Sequence, residues 1–209
     1  PGILGVLSGA SFGAALGIMI SEQWFTVQIF AFLFGFAAVF VALGVATIYK
    51  DASSKTILLV LGGVISSALF SALLSIVKYT ADPYNKLPAI VYWLMGSFGA
   101  IDKNTAFTVF APMMIGIVIL TLMGKHLNIL SLGDDDAKAL GIRVEIVRIA
   151  AIFFATLISA LTVVLAGMIG WVGLIIPHIA RFLVGPDNRI LLPVSAVLGG
   201  AFLVIVDTV

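Results

Sequence analysis

The chain has 209 residues, of which 62% are hydrophobic and 10% charged, with a net charge of +1, no cysteine and a mean hydropathy of +1.24. A soluble domain is about 45–50% apolar and about 25% charged, and a globule of this size cannot cover its surface with so few polar side chains. The composition excludes an ordinary soluble domain, a disordered tail, a nucleic-acid binder and a disulfide-stapled secreted domain, and it makes lipid the solvent for most of the chain.

A bilayer core of about 30 Å requires about 20 apolar helical residues. Charge-free stretches of that order predict seven crossings, at about 3–20, 25–48, 56–77, 105–124, 147–167, 172–184 and 190–208, and so an all-α polytopic transmembrane helix bundle. The chain opens inside the first of these without an initiator methionine and without a signal peptide, so a further N-terminal part is expected ahead of it. In this first span Gly5, Gly9, Gly13 and Gly17 recur every four residues. That spacing puts small residues on one helix face and lets a second helix approach closely, the main route to association in lipid.

The third span carries Gly63, Ser67, Ser71 and Ser75 at the same spacing; its hydroxyls suit either a neighbouring helix or a water-filled path. Between Lys78 and Lys103 the uncharged core Leu87 to Ile101 is too short to span comfortably and reads as an interfacial or re-entrant helix, with an eighth, poorly hydrophobic span as the alternative. Tyr92 and Trp93 suit the headgroup level. The 32 uncharged residues between Arg148 and Arg181 would reach roughly 48 Å as one helix. The stretch is expected to fold back, with Gly167, Gly170, Gly173 and Pro177 supplying the break.

With seven crossings the basic residues divide unequally. Lys50, Lys55, Lys125, Lys138, Arg143, Arg148, Arg181 and Arg189 fall on one side, and Lys78, Lys86 and Lys103 on the other. The positive-inside rule places the richer set in the cytoplasm. Inside the spans there is no charged residue midway, so a carboxylate or histidine relay for Na⁺ or H⁺ has little support. Energy must come from another chain, or the protein is a passive pore.

The most distinctive polar stretch is Leu130 to Arg148, LSLGDDDAKALGIRVEIVR. Ser131 followed by Asp134 predicts a capping-box start, Asp134 to Asp136 put negative charge at a helix N-terminus, and Gly141 predicts the stop. Leu132, Ala139 and Leu140 can share an apolar strip on this short helix, which is either a solvated loop cap or a partner site. Chemistry-bearing motifs are missing. Gly124-Lys125 has Ile119 where a phosphate-binding loop needs glycine and His126 where it needs Ser or Thr. His126 and His178 have no metal-ligand spacing, and there is no nucleophile elbow.

Five stretches carry a resemblance: PGILGVLSGASFGAALG at 1–17, ISSALFSAL at 65–73, YWLMGSFGAID at 92–102, LSLGDDDAKALGI at 130–142 and LAGMIGWVGLIIPHIARFLVGPDNRILLP at 165–193. In this order they resemble the permease subunit of FecCD/BtuC-type (type II) ABC importers, which take up iron chelates, haem, cobalamin and in some members molybdate. The resemblance implies a single permease domain over residues 1–209, incomplete at both ends and matching spans three to nine of ten. It places a cytoplasmic coupling loop at 130–143, with Gly133, Ala137, Leu140 and Gly141 at the motif positions and Asp134 opening the acidic run that replaces the family's glutamates. It also implies that Gly63, Ser67 and Ser71 line the translocation path, and that Ser53, Ser54 and Thr56 lie where the inner gate would be. The family's outward-facing arginines would lie before Pro1 and just past Val209.

The partners so implied are a second copy in a homodimer, two ATP-binding cassette subunits below, a substrate-binding protein outside and the lipid membrane. No nucleic acid and no cofactor is expected. The chain would then be a multi-pass protein of a prokaryotic inner or plasma membrane and not itself an enzyme, moving most commonly an iron-siderophore. Haem, cobalamin or molybdate are the alternatives inside the family. Outside it stand an ion-coupled secondary transporter or channel, which should carry broken-helix ion sites, and a non-transporting scaffold.

Overall fold

A computed structural model describes residues 2–21, 23–48, 55–99, 101 and 103–208, with the side chains of 48, 55 and 56 set aside. Among these residues there is no strand. A 3-10 turn at Gly2–Leu4 leads into ten helices: α1 (Val6–Ile20), α2 (Trp24–Ile48), α3 (Lys55–Thr80), α4 (Lys86–Met95), α5 (Lys103–Leu122), α6 (Gly124–Leu130), α7 (Asp134–Ala139), α8 (Val144–Ala166), α9 (Val172–Val184) and α10 (Asn188–Thr208). Every expected span coincides with a helix, and the all-α transmembrane architecture is as read from the sequence.

Helix length divides the expected crossings into two classes. Five of the described helices, α2, α3, α5, α8 and α10, are long and apolar enough to cross a membrane. The helices at the expected first and sixth crossings are shorter, 15 residues for α1 and 13 for α9, or roughly 20 Å each. Gly5 shortens α1, because it stands outside the helix as its N-cap with φ 84°. The four-glycine stripe is therefore three helical glycines and one left-handed cap.

The chain forms two units. The first comprises Pro1–Ala106 and Ser159–Ile169. Here α1 lies against α2 so closely that a Cβ at Gly9 would fall on the Phe34 carbonyl and one at Gly13 on the Phe30 carbonyl, while at Gly17 it would come 2.9 Å from Val27 Cα. Small residues at four-residue spacing thus do here what lipid-embedded association requires. Phe12 of α1, Phe34 of α2 and Phe70 of α3 form an aromatic knot, with Phe12 edge-on to Phe34 at 5.0 Å between centroids. Such pairs contribute beyond their buried area.

Ser66, fully buried, donates its hydroxyl to the Ala38 carbonyl at 2.7 Å, tying α3 to α2. The short α4 confirms a non-spanning segment between α3 and α5. Tyr92 is exposed, whereas Trp93 packs on the cluster built around Ala10, Ala14 and Ile90. The end of α4 meets the end of α8 through the Ser97 N–H, which donates to the Ala166 carbonyl at 2.9 Å.

The second unit comprises Phe107–Ile158 and Gly170–Val209. The expected break after α8 falls at residues 167–171, where Gly167 has φ 70° and Trp171 φ 66°. Pro177 does not contribute to it and lies inside α9. As the sixth residue of α9 it withholds the N–H that would have bonded to the Gly173 carbonyl, yet the helix continues past it to Val184.

Candidate functional site

The stretch singled out from the sequence lies in the second unit and is built from α6, α7 and the feet of α8 and α10. Helix α6 was not expected as a separate element. It ends at Leu130, and Ser131 closes it by donating its hydroxyl to the Asn128 carbonyl at 2.6 Å. The expected capping box is therefore absent: Ser131 is committed to the preceding helix, and the N-cap of α7 is Gly133, at φ 117° and ψ 161°. That conformation is reached essentially by glycine alone.

The other end of α7 is as expected. Gly141 is left-handed at φ 80°, its N–H donates to the Lys138 carbonyl at 2.9 Å, and the Ile142 N–H donates to the Ala137 carbonyl at 3.0 Å. These two bonds complete a Schellman stop. Ala137 is fully buried and fixes the helix against its surroundings. Asp134, Asp135 and Asp136 occupy the first turn, where the helix dipole favours negative charge. Leu132 and Leu140 are each 61% exposed, and Ala139 is exposed with them. The helix is short and rigidly terminated, with Ala137 turned inward and the apolar side chains of Ala139 and of the flanking Leu132 and Leu140 facing outward.

Two polar contacts fasten this element to the spans, and neither was visible as a pattern in the sequence. Arg148 of α8 donates from a terminal guanidinium nitrogen to Asp134 Oδ1 at 2.5 Å. On the other side, Asn128 of α6 donates through Nδ2 to Asp187 Oδ1 at 2.6 Å and accepts at Oδ1 from the Asn188 N–H at 2.8 Å.

Asp187 is also the N-cap of α10, since its carboxylate accepts from the Arg189 N–H at 3.0 Å and its carbonyl accepts from the Leu191 N–H at 2.8 Å. The Arg189 guanidinium, then the Arg189 N–H and the Asn128 amide, hold this carboxyl well below the usual carboxylate range. An acidic residue three positions before the span expected at 190–208 was the available signal, in the Gly-Pro-Asp-Asn turn at 185–188.

The FecCD transport family model matches residues 1–209, the whole chain. The chain belongs to the FecCD transport family. This member is 39% identical over 209 residues to the molybdate import system permease protein MolB of Haemophilus influenzae, covering 100% of this chain and 61% of that protein. It is 37% identical over 210 residues to the cobalamin import system permease protein BtuC of Halobacterium salinarum, covering 100% of this chain and 56% of that protein. Its fold matches a solved structure of a metal-chelate type ABC transporter in an inward-facing conformation, with TM-score 0.89, 38% identity, 98% of this chain and 65% of that one. The chain thus spans about three fifths of the length of these curated relatives.

The remaining expected site residues of this family member fall in the first unit. Gly63 packs directly on the opening turn, where a Cβ would strike the Ile3 carbonyl. Ser67 is half-buried, with its hydroxyl 3.2 Å from where a Cβ on Gly5 would lie. Ser71 is exposed, and its carbonyl accepts from the Ser75 hydroxyl at 3.0 Å. The stripe runs from a packed end to an open end. Ser53 and Ser54 lie outside the described residues, and Thr56 lies in the first turn of α3 with its side chain outside them.

Proposed function

We propose that this chain is the membrane-spanning permease part of an ATP-driven importer, moving a metal-containing anion or chelate into a prokaryotic cytoplasm. A separate ATPase subunit hydrolyses the ATP. The observation that carries the reading is α7. Its ends are fixed by glycines in conformations that other residues rarely adopt and its first turn by an ion pair, yet Leu132, Ala139 and Leu140 are left facing solvent. A rigid element that exposes apolar side chains in a charged segment is suited to being covered by a partner. In this reading residues 130–143 are the coupling loop, with Gly133, Asp134, Ala137 and Gly141 setting its shape and Leu140 its contact.

Two ATPase subunits, a second permease copy and an external binding protein complete the assembly. Ser71 and Ser67 line the path, Gly63 holds that wall against the opening turn, and Ser53, Ser54 and Thr56 form the inner gate. An iron-siderophore is the substrate that the family resemblance puts first. The 39% identity to a molybdate permease supports a second reading, molybdate.

The test is reconstitution of the full-length permease with its ATPase and its external binding protein in liposomes, offering molybdate, cyanocobalamin and ferrichrome separately. ATP-dependent uptake of one of them is the expected result. Uptake driven by an ion gradient without the ATPase would replace this reading with a secondary transporter.

A further inference from the structure

We infer that Asn128 is the positioning residue that makes α7 and the foot of α10 move as one body. The inference rests on the coupling reading of α7 and names how a push on that helix reaches a span. Asn128 uses both ends of its amide across 60 residues of sequence, donating to Asp187 and accepting from the Asn188 N–H. The backbones are equally close, since a Cβ on Gly124 would come 2.9 Å from both N and Cα of Arg189.

From Asn128 to α7 the chain has no free joint. The Leu132 N–H donates to the Ile129 carbonyl at 3.1 Å, the Gly133 N–H to the Leu130 carbonyl at 3.3 Å, and the Ala137 N–H to the Gly133 carbonyl at 3.0 Å. Consecutive bonds of this kind leave few dihedrals free to absorb a displacement. The Asp187–Arg189 ion pair cannot substitute for Asn128. It joins residues two apart at the same helix start, so it orients the carboxylate and ties α10 to nothing else. Arg148 fastens α7 to α8, and among the described residues Asn128 is the side chain seen to hydrogen-bond this element to the foot of α10.

The experiment uses the full-length permease with its ATPase in lipid nanodiscs. These 209 residues contain no cysteine, so once any cysteine elsewhere in the full-length complex is replaced by serine, spin labels can be placed at Lys138→Cys and Ile190→Cys and their distance read without nucleotide and after trapping with ATP and vanadate. The distance should be the same in both states. Asn128→Ala should still bind the ATPase, but its distance should shift on trapping, and stimulation of ATP hydrolysis by the binding protein should fall roughly ten-fold, within the range of coupling between sites. Asn128→Asp, which sets a second carboxylate against Asp187, should fall further.

Asp187→Asn keeps an acceptor for Asn128 and should retain the native distance, which separates the geometry of the contact from its charge. A distance that changes between states in the native complex overturns the inference, as does an Asn128→Ala complex indistinguishable from it. A permease that binds no ATPase even with Asn128 and Leu140 intact overturns the coupling reading itself, and the inference with it.

Discussion

Arg148 and Asp134 form an ion pair with 2.5 Å between nitrogen and oxygen, joining the second turn of α8 to the first turn of α7. The arginine side chain is 14% exposed and the aspartate 33%, so the pair is partly shielded from water. Removing either partner leaves the other charge poorly solvated, at a cost of about 1–3 kcal/mol. Arg148→Ala and Asp134→Ala are each expected to lower the thermal midpoint of the detergent-purified protein. The exchanged pair Asp134→Arg with Arg148→Asp should recover part of the loss, measured as a double-mutant cycle.

The α1–α2 approach predicts a sharp contrast between two glycines. Gly13→Ala would drive a methyl group into the Phe30 carbonyl, whereas Gly44 has nothing within 4 Å of its missing Cβ. Overpacking against backbone costs about 1–3 kcal/mol or more. Gly13→Ala should reduce the yield of folded protein and its melting temperature, while Gly44→Ala leaves both within error of the native chain or slightly raised, since alanine is the better helix former.

Asp187 gives a pH dependence whose sign follows from its depressed pKa. Its folded value lies below the ordinary carboxylate value because of Arg189 and Asn128. Its contribution to stability is therefore complete above the unfolded value, about 3.9. It is lost as pH falls through the lower folded value. The melting-temperature difference between the native protein and Asp187→Asn should be constant from neutral pH to about pH 5 and shrink on further acidification. A difference that grew on acidification would reverse the assignment.

The two glycines that bound α7 should respond to substitution through backbone conformation, since neither has an atom within 4 Å of a missing Cβ. Gly141→Ala forces a side chain into the left-handed region at about 1–2 kcal/mol. Gly133→Ala, with φ 117° and ψ 161°, should cost more, of order 1–3 kcal/mol. Amide hydrogen exchange across residues 134–139 is expected to accelerate in both variants and more in the second.

Much of this architecture was legible because lipid imposes a simple demand: every charge-free stretch of spanning length became a helix, and Gly9, Gly13 and Gly17 became a helix contact. The stop at Gly141 was legible for a similar reason, since a left-handed C-terminal residue strongly prefers glycine. The start of α7 was misread at Ser131 because the same serine can cap forward or close the helix behind it, and α6 decided the matter. Gly5 was misread because a four-residue spacing does not reveal where the helix begins. The Asn128–Asp187 contact was not legible at all, since a bond across 59 residues leaves no periodic trace.

Cross-linking from α7 tests the central claim most directly. In the full-length protein assembled with its ATPase, cysteines placed at Leu132 and Leu140 should each give a covalent permease–ATPase adduct with a short cross-linker. A cysteine at Val204, exposed on the membrane helix α10, should give none. Absence of an adduct from both positions flanking α7, or an equal yield from Val204, would contradict the assignment of α7 and its flanks as the surface on which the ATPase docks.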